Sequence, residues 1–99
     1  MLHERIKELR LSYGMNQVEF GKKLNVTKQS ISNWENNNIQ PSIDMLVKIA
    51  RAFSVSTDYL LGLDDRQTLD ATGLTAAQTA HLQSIIDDLR KADEQRRSD

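Results

Sequence analysis

The side chains that could recognise another molecule are concentrated in one short polar stretch of the chain. The ammonium group of Lys28 can donate hydrogen bonds to O6 and N7 of guanine, and the carboxamides of Gln29 and Asn33 can pair with N6 and N7 of adenine. Thr27 and Ser32 are small enough to touch a base edge or a thymine methyl group. A polar helix face is more often simply a solvated surface. These residue types alone therefore leave both interpretations open.

No set of catalytic or metal-binding residues accompanies this stretch in the sequence. The chain contains no cysteine, which excludes disulfides, thiolate zinc sites and a cysteine nucleophile. The two histidines, His3 and His81, have no acidic or histidine partner at a metal-ligand spacing. There is no Ser-His-Asp set, Gly-rich phosphate loop or pair of carboxylates. We therefore expect a protein that is not an enzyme and that uses no metal and no cofactor.

The net charge conceals two parts of opposite sign. The 99 residues carry 13 Lys or Arg and 14 Asp or Glu, a net charge of -1, which by itself argues against a nucleic-acid partner. Residues 1–63 hold eight basic and six acidic residues, a net charge of +2, whereas residues 64–99 hold five and eight, a net charge of -3. No apolar run approaches the roughly 20 residues of a membrane span, and no secretory signal is present. We expect a cytoplasmic protein without a membrane partner.

Helical spacing and cap residues predict an all-α chain. Proline occurs once and glycine four times, and long runs of β-branched residues are absent. The predicted helices cover residues 2–12, 17–24, 28–36, 43–53, 57–61 and 75–95, with fraying at 94–99. The fourth helix is expected to bury a stripe of Ile43, Leu46, Ile49, Ala50 and Phe53. Residues 64–74 are polar and aperiodic, which predicts a linker.

Two short helices with a turn of about three residues between them form a helix-turn-helix arrangement. In the turn, Asn25 is the residue best able to adopt the left-handed conformation. Together with residues 41–42, 49–56 and 58–62, residues 17–36 resemble the lambdoid phage repressor and Cro family, also called the xenobiotic-response-element family. The resemblance spans about residues 2–63. Gly21 stands where this family most often has Ala, and Asn25 where it most often has Gly.

This resemblance implies a five-helix repressor-like bundle over residues 1–63, followed here by a C-terminal helix at 75–99. The third helix would lie in the major groove of DNA. Because Ile31 must face the core, the residues that would contact bases are Thr27, Lys28, Gln29, Ser32 and Asn33. Trp34 is expected in the core. An ion pair between Arg10 and Glu35 would connect the recognition helix to the first helix.

The resemblance also implies contacts to the DNA backbone. Gln17 matches the family glutamine that reaches a phosphate, and the peptide N–H groups at its helix N-terminus favour the same anion. Asn16 could assist there or act only as a helix cap. The loop residues Asn36, Asn37 and Asn38 would meet the opposite backbone strand through their amides and exposed main-chain N–H groups.

The C-terminal helix has a thin apolar stripe and needs a partner surface. Its candidate dimerisation residues are Leu82, Ile85, Ile86, Leu89 and Ala92. It could pack on its own domain, but pairing with a second chain is favoured because dimeric repressors need half-sites about 34 Å apart. Together with this helix, the resemblance implies a bacterial or phage repressor that binds double-stranded DNA at a palindromic operator as a homodimer. It would have no small-molecule ligand domain and would be open to a protein antagonist. The alternative is an antitoxin or adaptor whose C-terminal helix binds a partner protein.

Overall fold

A computed structural model describes residues 1–98 of the chain, and Asp99, the end of the predicted C-terminal helix, lies outside the described residues. Within 1–98 the secondary structure consists of helices alone, so the predicted all-α class is confirmed. The helices are α1 (Leu2–Ser12), α2 (Gln17–Leu24), α3 (Lys28–Glu35), α4 (Ile43–Ala52), α5 (Thr57–Leu61) and α6 (Ala76–Ser98). The last helix reaches Ser98, three residues beyond its predicted end at residue 95.

Short polar side chains begin most of these helices. The Asn16 side chain accepts a hydrogen bond from the Glu19 backbone N–H at 2.8 Å, and the Glu19 carboxylate accepts one from the Asn16 N–H at 3.0 Å. The side chains of Thr27, Ser42 and Ser56 cap α3, α4 and α5 by accepting from a backbone N–H, without the reciprocal bond. Each cap satisfies a backbone donor that would otherwise lack a partner and contributes about 1 kcal/mol.

The core of the first five helices is a single apolar cluster. Phe20 and Phe53 stack at its centre with ring centroids 4.7 Å apart. The other buried members come from every helix of this part: Ile6, Leu9, Leu24, Ile31, Trp34, Ile49, Ala50 and Leu60. Trp34 is in the core as expected. Ile43, predicted on the buried stripe, is 81% exposed because it is the first residue of α4, where the cluster does not reach.

The turn between α2 and α3 is very tight. Asn25 adopts the left-handed conformation with φ 58° and ψ 44°, as its residue type predicted. The next residue, Val26, donates its backbone N–H to the Gly21 carbonyl at 2.8 Å. A Cβ atom at position 21 would lie 2.7 Å from the Val26 carbonyl oxygen. Glycine at position 21 therefore permits this close approach of the two helices.

The chain divides into two compact units. The first is Met1–Leu69, and the described part of the second is residues 70–98. The first unit ends at Leu69 rather than at the predicted Leu63. Residues 64–69 contain no helix, but they contact the bundle: Arg5 Nη2 donates to Asp65 Oδ1 at 2.6 Å, and Thr68 Oγ1 donates to the Ser54 carbonyl at 2.9 Å.

The second unit consists mainly of α6, a helix of 23 residues. Ahead of it, the Thr75 backbone N–H donates to Gln78 Oε1 at 3.0 Å, and the Gln78 N–H donates to Thr75 Oγ1 at 3.1 Å. This reciprocal pair is a capping box. Across residues 1–98, no helix combines the length and the apolar character that a membrane crossing needs.

Replacing Gly21 by alanine tests the tight turn. Alanine raises helix propensity by about 1 kcal/mol relative to glycine, but its Cβ must displace the Val26 backbone, and overpacking typically costs about 1–3 kcal/mol. We expect Gly21→Ala to lower the free energy of unfolding in urea titrations, and to lower Tm. Lys22→Ala, on the exposed side of the same helix, is the control and should change stability by less than about 0.5 kcal/mol. A higher Tm for Gly21→Ala would contradict the assigned close approach.

Candidate nucleic-acid interface

Helix α3 has one buried and one polar face. Ile31 is fully buried and Trp34 is 7% exposed, so both point into the core. At about 100° per residue, the opposite side of the helix carries the polar residues. Lys28 and Gln29 are exposed, and Ser32 and Asn33 are half-buried. The structure thus brings these four predicted base-contacting residues onto one outward surface, called here the α3 polar face.

Two carboxamides on the α3 polar face are linked to each other. Gln29 Nε2 donates to Asn33 Oδ1 at 3.2 Å. This bond leaves the Gln29 carbonyl oxygen as an acceptor and the Asn33 NH₂ group as a donor. An acceptor beside a donor is the pattern that complements N6 and N7 of adenine. The two side chains together can therefore hydrogen-bond to one adenine.

The remaining polar groups of this helix differ in how many of their hydrogen-bonding atoms already have a partner within the protein. Thr27 Oγ1 accepts from the Ser30 N–H at 3.1 Å, so its hydroxyl oxygen serves the helix cap and its methyl group remains for a base contact. Ser32 Oγ accepts from Asn36 Nδ2 at 3.2 Å and keeps its own proton for donation. Within residues 1–98, the Lys28 ammonium takes part in no ion pair and no hydrogen bond. It is the free cation of the α3 polar face.

The predicted backbone contacts lie at the edges of this face. Asn16 Oδ1 is occupied by the capping box, which leaves only its NH₂ group for a phosphate. Gln17 is the first residue of α2, next to the unpaired N–H groups of that helix end. A phosphate oxygen would find several donors here, in the free N–H groups of the helix end and in the Asn16 NH₂ group.

In the loop after α3, the main-chain donors are not available. The N–H groups of Asn36, Asn37 and Asn38 donate to the carbonyls of Ser32, Trp34 and Asn33 at 3.0, 3.2 and 2.9 Å. The prediction that these N–H groups are open to phosphate is therefore wrong, because they close the end of α3. The exposed side-chain amides of the three asparagines remain the candidate contacts.

Arg10 and Glu35 form a buried two-pronged ion pair. Arg10 Nε donates to Glu35 Oε2 at 2.6 Å and Nη2 donates to Oε1 at 2.9 Å. The residues are 9% and 8% exposed. Arg10 Nη1 also donates to the Met15 carbonyl at 3.0 Å. The hydrogen bonds to Glu35 raise the pKa of the Arg10 guanidinium above its ordinary value, so it stays charged. The pair ties α1 to the last turn of α3.

A third side chain joins this pair. Gln17 Nε2 donates to Glu35 Oε1 at 3.3 Å, which connects the start of α2 to the end of α3. The sequence alone does not predict this contact. The two residues are 18 positions apart, and no periodicity or cap pattern relates them. Its effect is to hold the Gln17 carboxamide at the edge of the α3 polar face with one N–H still free.

Comparisons with known proteins identify the class. A helix-turn-helix family model matches residues 6–60, more than half of the chain. The HTH-type transcriptional regulator ImmR of Bacillus subtilis (strain 168) is 40% identical over 73 residues, which cover 74% of this chain and 58% of that protein. The chain belongs to the helix-turn-helix family of transcriptional regulators. It spans less than two thirds of the length of this curated relative.

Solved structures give the same fold. The c2 repressor of phage P22 in complex with synthetic operator 9T matches with a TM-score of 0.60 and 33% identity, over 65% of this chain and 97% of that one. The SinR protein/SinI protein complex matches with a TM-score of 0.58 and 28% identity, over 93% and 99%. The predicted repressor-like fold is confirmed.

Separating the two partners of the ion pair tests its structural role. Glu35→Leu leaves the buried Arg10 charge without a partner and should lower the free energy of unfolding by about 3–5 kcal/mol. The double variant Arg10→Met/Glu35→Leu leaves no charge behind, so it should recover most of that loss in urea titrations.

The exposed pair between Arg66 and Asp64, 2.9 Å apart, provides the control. Arg66→Ala should change stability by no more than about 1 kcal/mol, because Arg66 is in water. A double variant at positions 10 and 35 that is no more stable than Glu35→Leu would contradict the account.

Proposed function

We propose that this chain is a sequence-specific DNA-binding transcriptional regulator that acts as a dimeric repressor at a palindromic operator. The observation that carries the proposal is the α3 polar face, which presents one free cation and a linked pair of carboxamides on a helix held firmly by its buried side. The P22 c2 repressor, which has the same fold, is known in complex with an operator. By this proposal the chain is not an enzyme.

In the proposed complex, α3 lies in the major groove with its first turns against the bases. Lys28 donates to a guanine, and Gln29 with Asn33 addresses an adenine. Ser32 contributes its hydroxyl proton to an adjacent base edge. Occupation of the operator would exclude the polymerase by bulk, which requires no catalytic group.

Neutral groups supply the positioning contacts to phosphates. Gln17 and the free N–H groups at the start of α2 reach one strand, and the amides of Asn36, Asn37 and Asn38 reach the other. Lys22 and Lys23, in the last turn of α2, act through the long-range field. Since amides release few counterions, binding should depend modestly on salt.

Dimerisation is assigned to α6. Its apolar residues Leu82, Ile85 and Leu89 are 39, 43 and 64% exposed. A second copy that covers them would give the two α3 polar faces the symmetry of a palindrome. The SinR protein/SinI protein complex supports a second candidate, in which α6 binds a different protein and DNA binding is secondary. The setting for either function is the cytoplasm.

A gel-shift titration tests the proposal, with a pool of selected operator sequences against random DNA at moderate salt. We expect a clear preference for the selected pool. Equal affinity for both would refute sequence-specific binding. Removing residues 75–99 separates the two candidates in a pull-down: loss of self-association alone supports the repressor, and loss of a distinct partner supports the adaptor.

The base contacts can be tested one by one. Lys28→Ala should weaken binding to the operator by roughly 5- to 150-fold for each half-site and relax the choice of base at one position of each half-site, since a good base contact contributes about 1–3 kcal/mol. Lys22→Ala, with the same change of charge, should weaken binding to operator and to random DNA by similar factors. Its effect on operator binding should be smaller than that of Lys28→Ala. If both variants behave alike, Lys28 does not read a base.

The salt dependence reports the phosphate contacts. For B-DNA, log K falls by about 0.9 per neutralised phosphate for each unit of log salt. With few basic residues near the interface, we expect the dimer to show a slope no steeper than about -4. A slope near that of strongly basic DNA binders, about -10, would show that lysines rather than amides hold the backbone.

A further inference from the structure

The residues that flank and extend the apolar stripe of α6 discriminate between the two ways in which it can pair with a second copy. Leu82, Ile85 and Leu89 are exposed to between 39 and 64% within the described chain, so these side chains remain accessible to a partner. In heptad notation, Leu82 and Leu89 occupy a positions, and Ile85 and Ala92 occupy d positions. The polar residues that extend these two rows at the ends are Gln78 and Arg96.

We propose that two copies of α6 pair antiparallel, with a two-fold axis at residue 87. This inference rests on the proposed dimeric function and deepens it. In this register Leu82 faces Ala92 of the second copy, and Ile85 faces its Leu89. Each large side chain of one row thus meets an apolar side chain of the other. The flanking layer places Gln78 against Arg96 of the second copy, which is a compatible polar pair.

A parallel pair has a less favourable charge pattern. It would set Arg96 against Arg96 in the seam between the helices. It would also bring Asp88 of each copy beside Asp93 of the other, because the g and e positions of successive heptads meet across a parallel pair. Like charges at these positions are destabilising.

The antiparallel pair contains fewer such conflicts. On one flank Asp88 meets its own copy at the two-fold axis, which is one like-charge contact. On the other flank Ile86 meets Ile86 and extends the apolar seam. The helix dipoles also oppose each other in the antiparallel arrangement and reinforce each other's end charges in the parallel one. The a and d rows meet apolar residues in either arrangement, whereas the Ile86 contact and the charged residues favour the antiparallel pair.

The antiparallel register has a geometric consequence that the parallel one lacks. Ala76, the first residue of α6, lies 11 residues from the axis at residue 87. At a rise of 1.5 Å per residue, the two copies of Ala76 are about 33 Å apart along the pair. A parallel pair would instead place both Ala76 residues about 10 Å apart, which is one helix spacing.

Distances between spin labels on the full chain test this arrangement. The natural sequence has no cysteine, so Ala76→Cys and Asp87→Cys each provide a single labelling site on an exposed position. Pulsed electron resonance should give about 33 Å between the copies at position 76, from the helix rise. At position 87 the distance should be shorter, because only the width of two helices separates the labels. Similar short distances at both positions would overturn the antiparallel pairing while leaving the dimer in place.

A pair of variants connects the distances to the apolar seam. Leu89→Asp should raise the Kd of the monomer–dimer equilibrium at least tenfold in sedimentation experiments and abolish both label distances. Gln83→Asp introduces the same charge outside the seam and should change neither. If the unaltered chain is monomeric and the two labelled variants show no distance between copies, both the pairing and the dimeric part of the proposed function fail. Gel-shift experiments with the selected operators then still report on DNA recognition separately.

Discussion

A buried ion pair between Arg10 and Glu35 connects the first helix to the end of the third, and the orientation of α3 depends on it. The two side chains are almost completely removed from water, so their charges are stable only in the presence of each other. Gln17 joins the same carboxylate, which places the start of α2 in the network as well. Helices α1, α2 and α3 therefore meet at one carboxylate.

The rest of the DNA-binding unit supports that arrangement by packing. The stacked rings of Phe20 and Phe53 fill the space beneath α2 and α4, and Ile31 anchors the inner side of α3. Because Gly21 has no Cβ, α2 and α3 approach until the Val26 N–H reaches the Gly21 carbonyl. The outer side of α3 is thereby left with polar groups on a rigid element, a requirement for reading bases by hydrogen bonds.

Local patterns in the sequence predict most of the fold. Caps such as Asn16 and Ser56 and the spacing of apolar residues locate α1 to α5 to within a residue or two, because these signals act within one turn of a helix. Features that depend on contacts distant in sequence escape such patterns. The link between Gln17 and Glu35 and the packing of residues 64–69 on the bundle belong to this group. The exposure of Ile43 was mispredicted because helical periodicity does not show where the core ends.

The near-neutral net charge of the chain is the sum of a basic part and an acidic part. The basic residues lie mainly in the unit that would approach DNA, and the acidic surplus lies in the part that contains α6. Hydroxyl-radical footprinting on a selected operator tests the central claim, which is that two copies of the α3 polar face read a palindrome. The account predicts two protected patches on one side of the duplex, one helical turn apart and related by symmetry. A single patch, or uniform protection along the DNA, would contradict it.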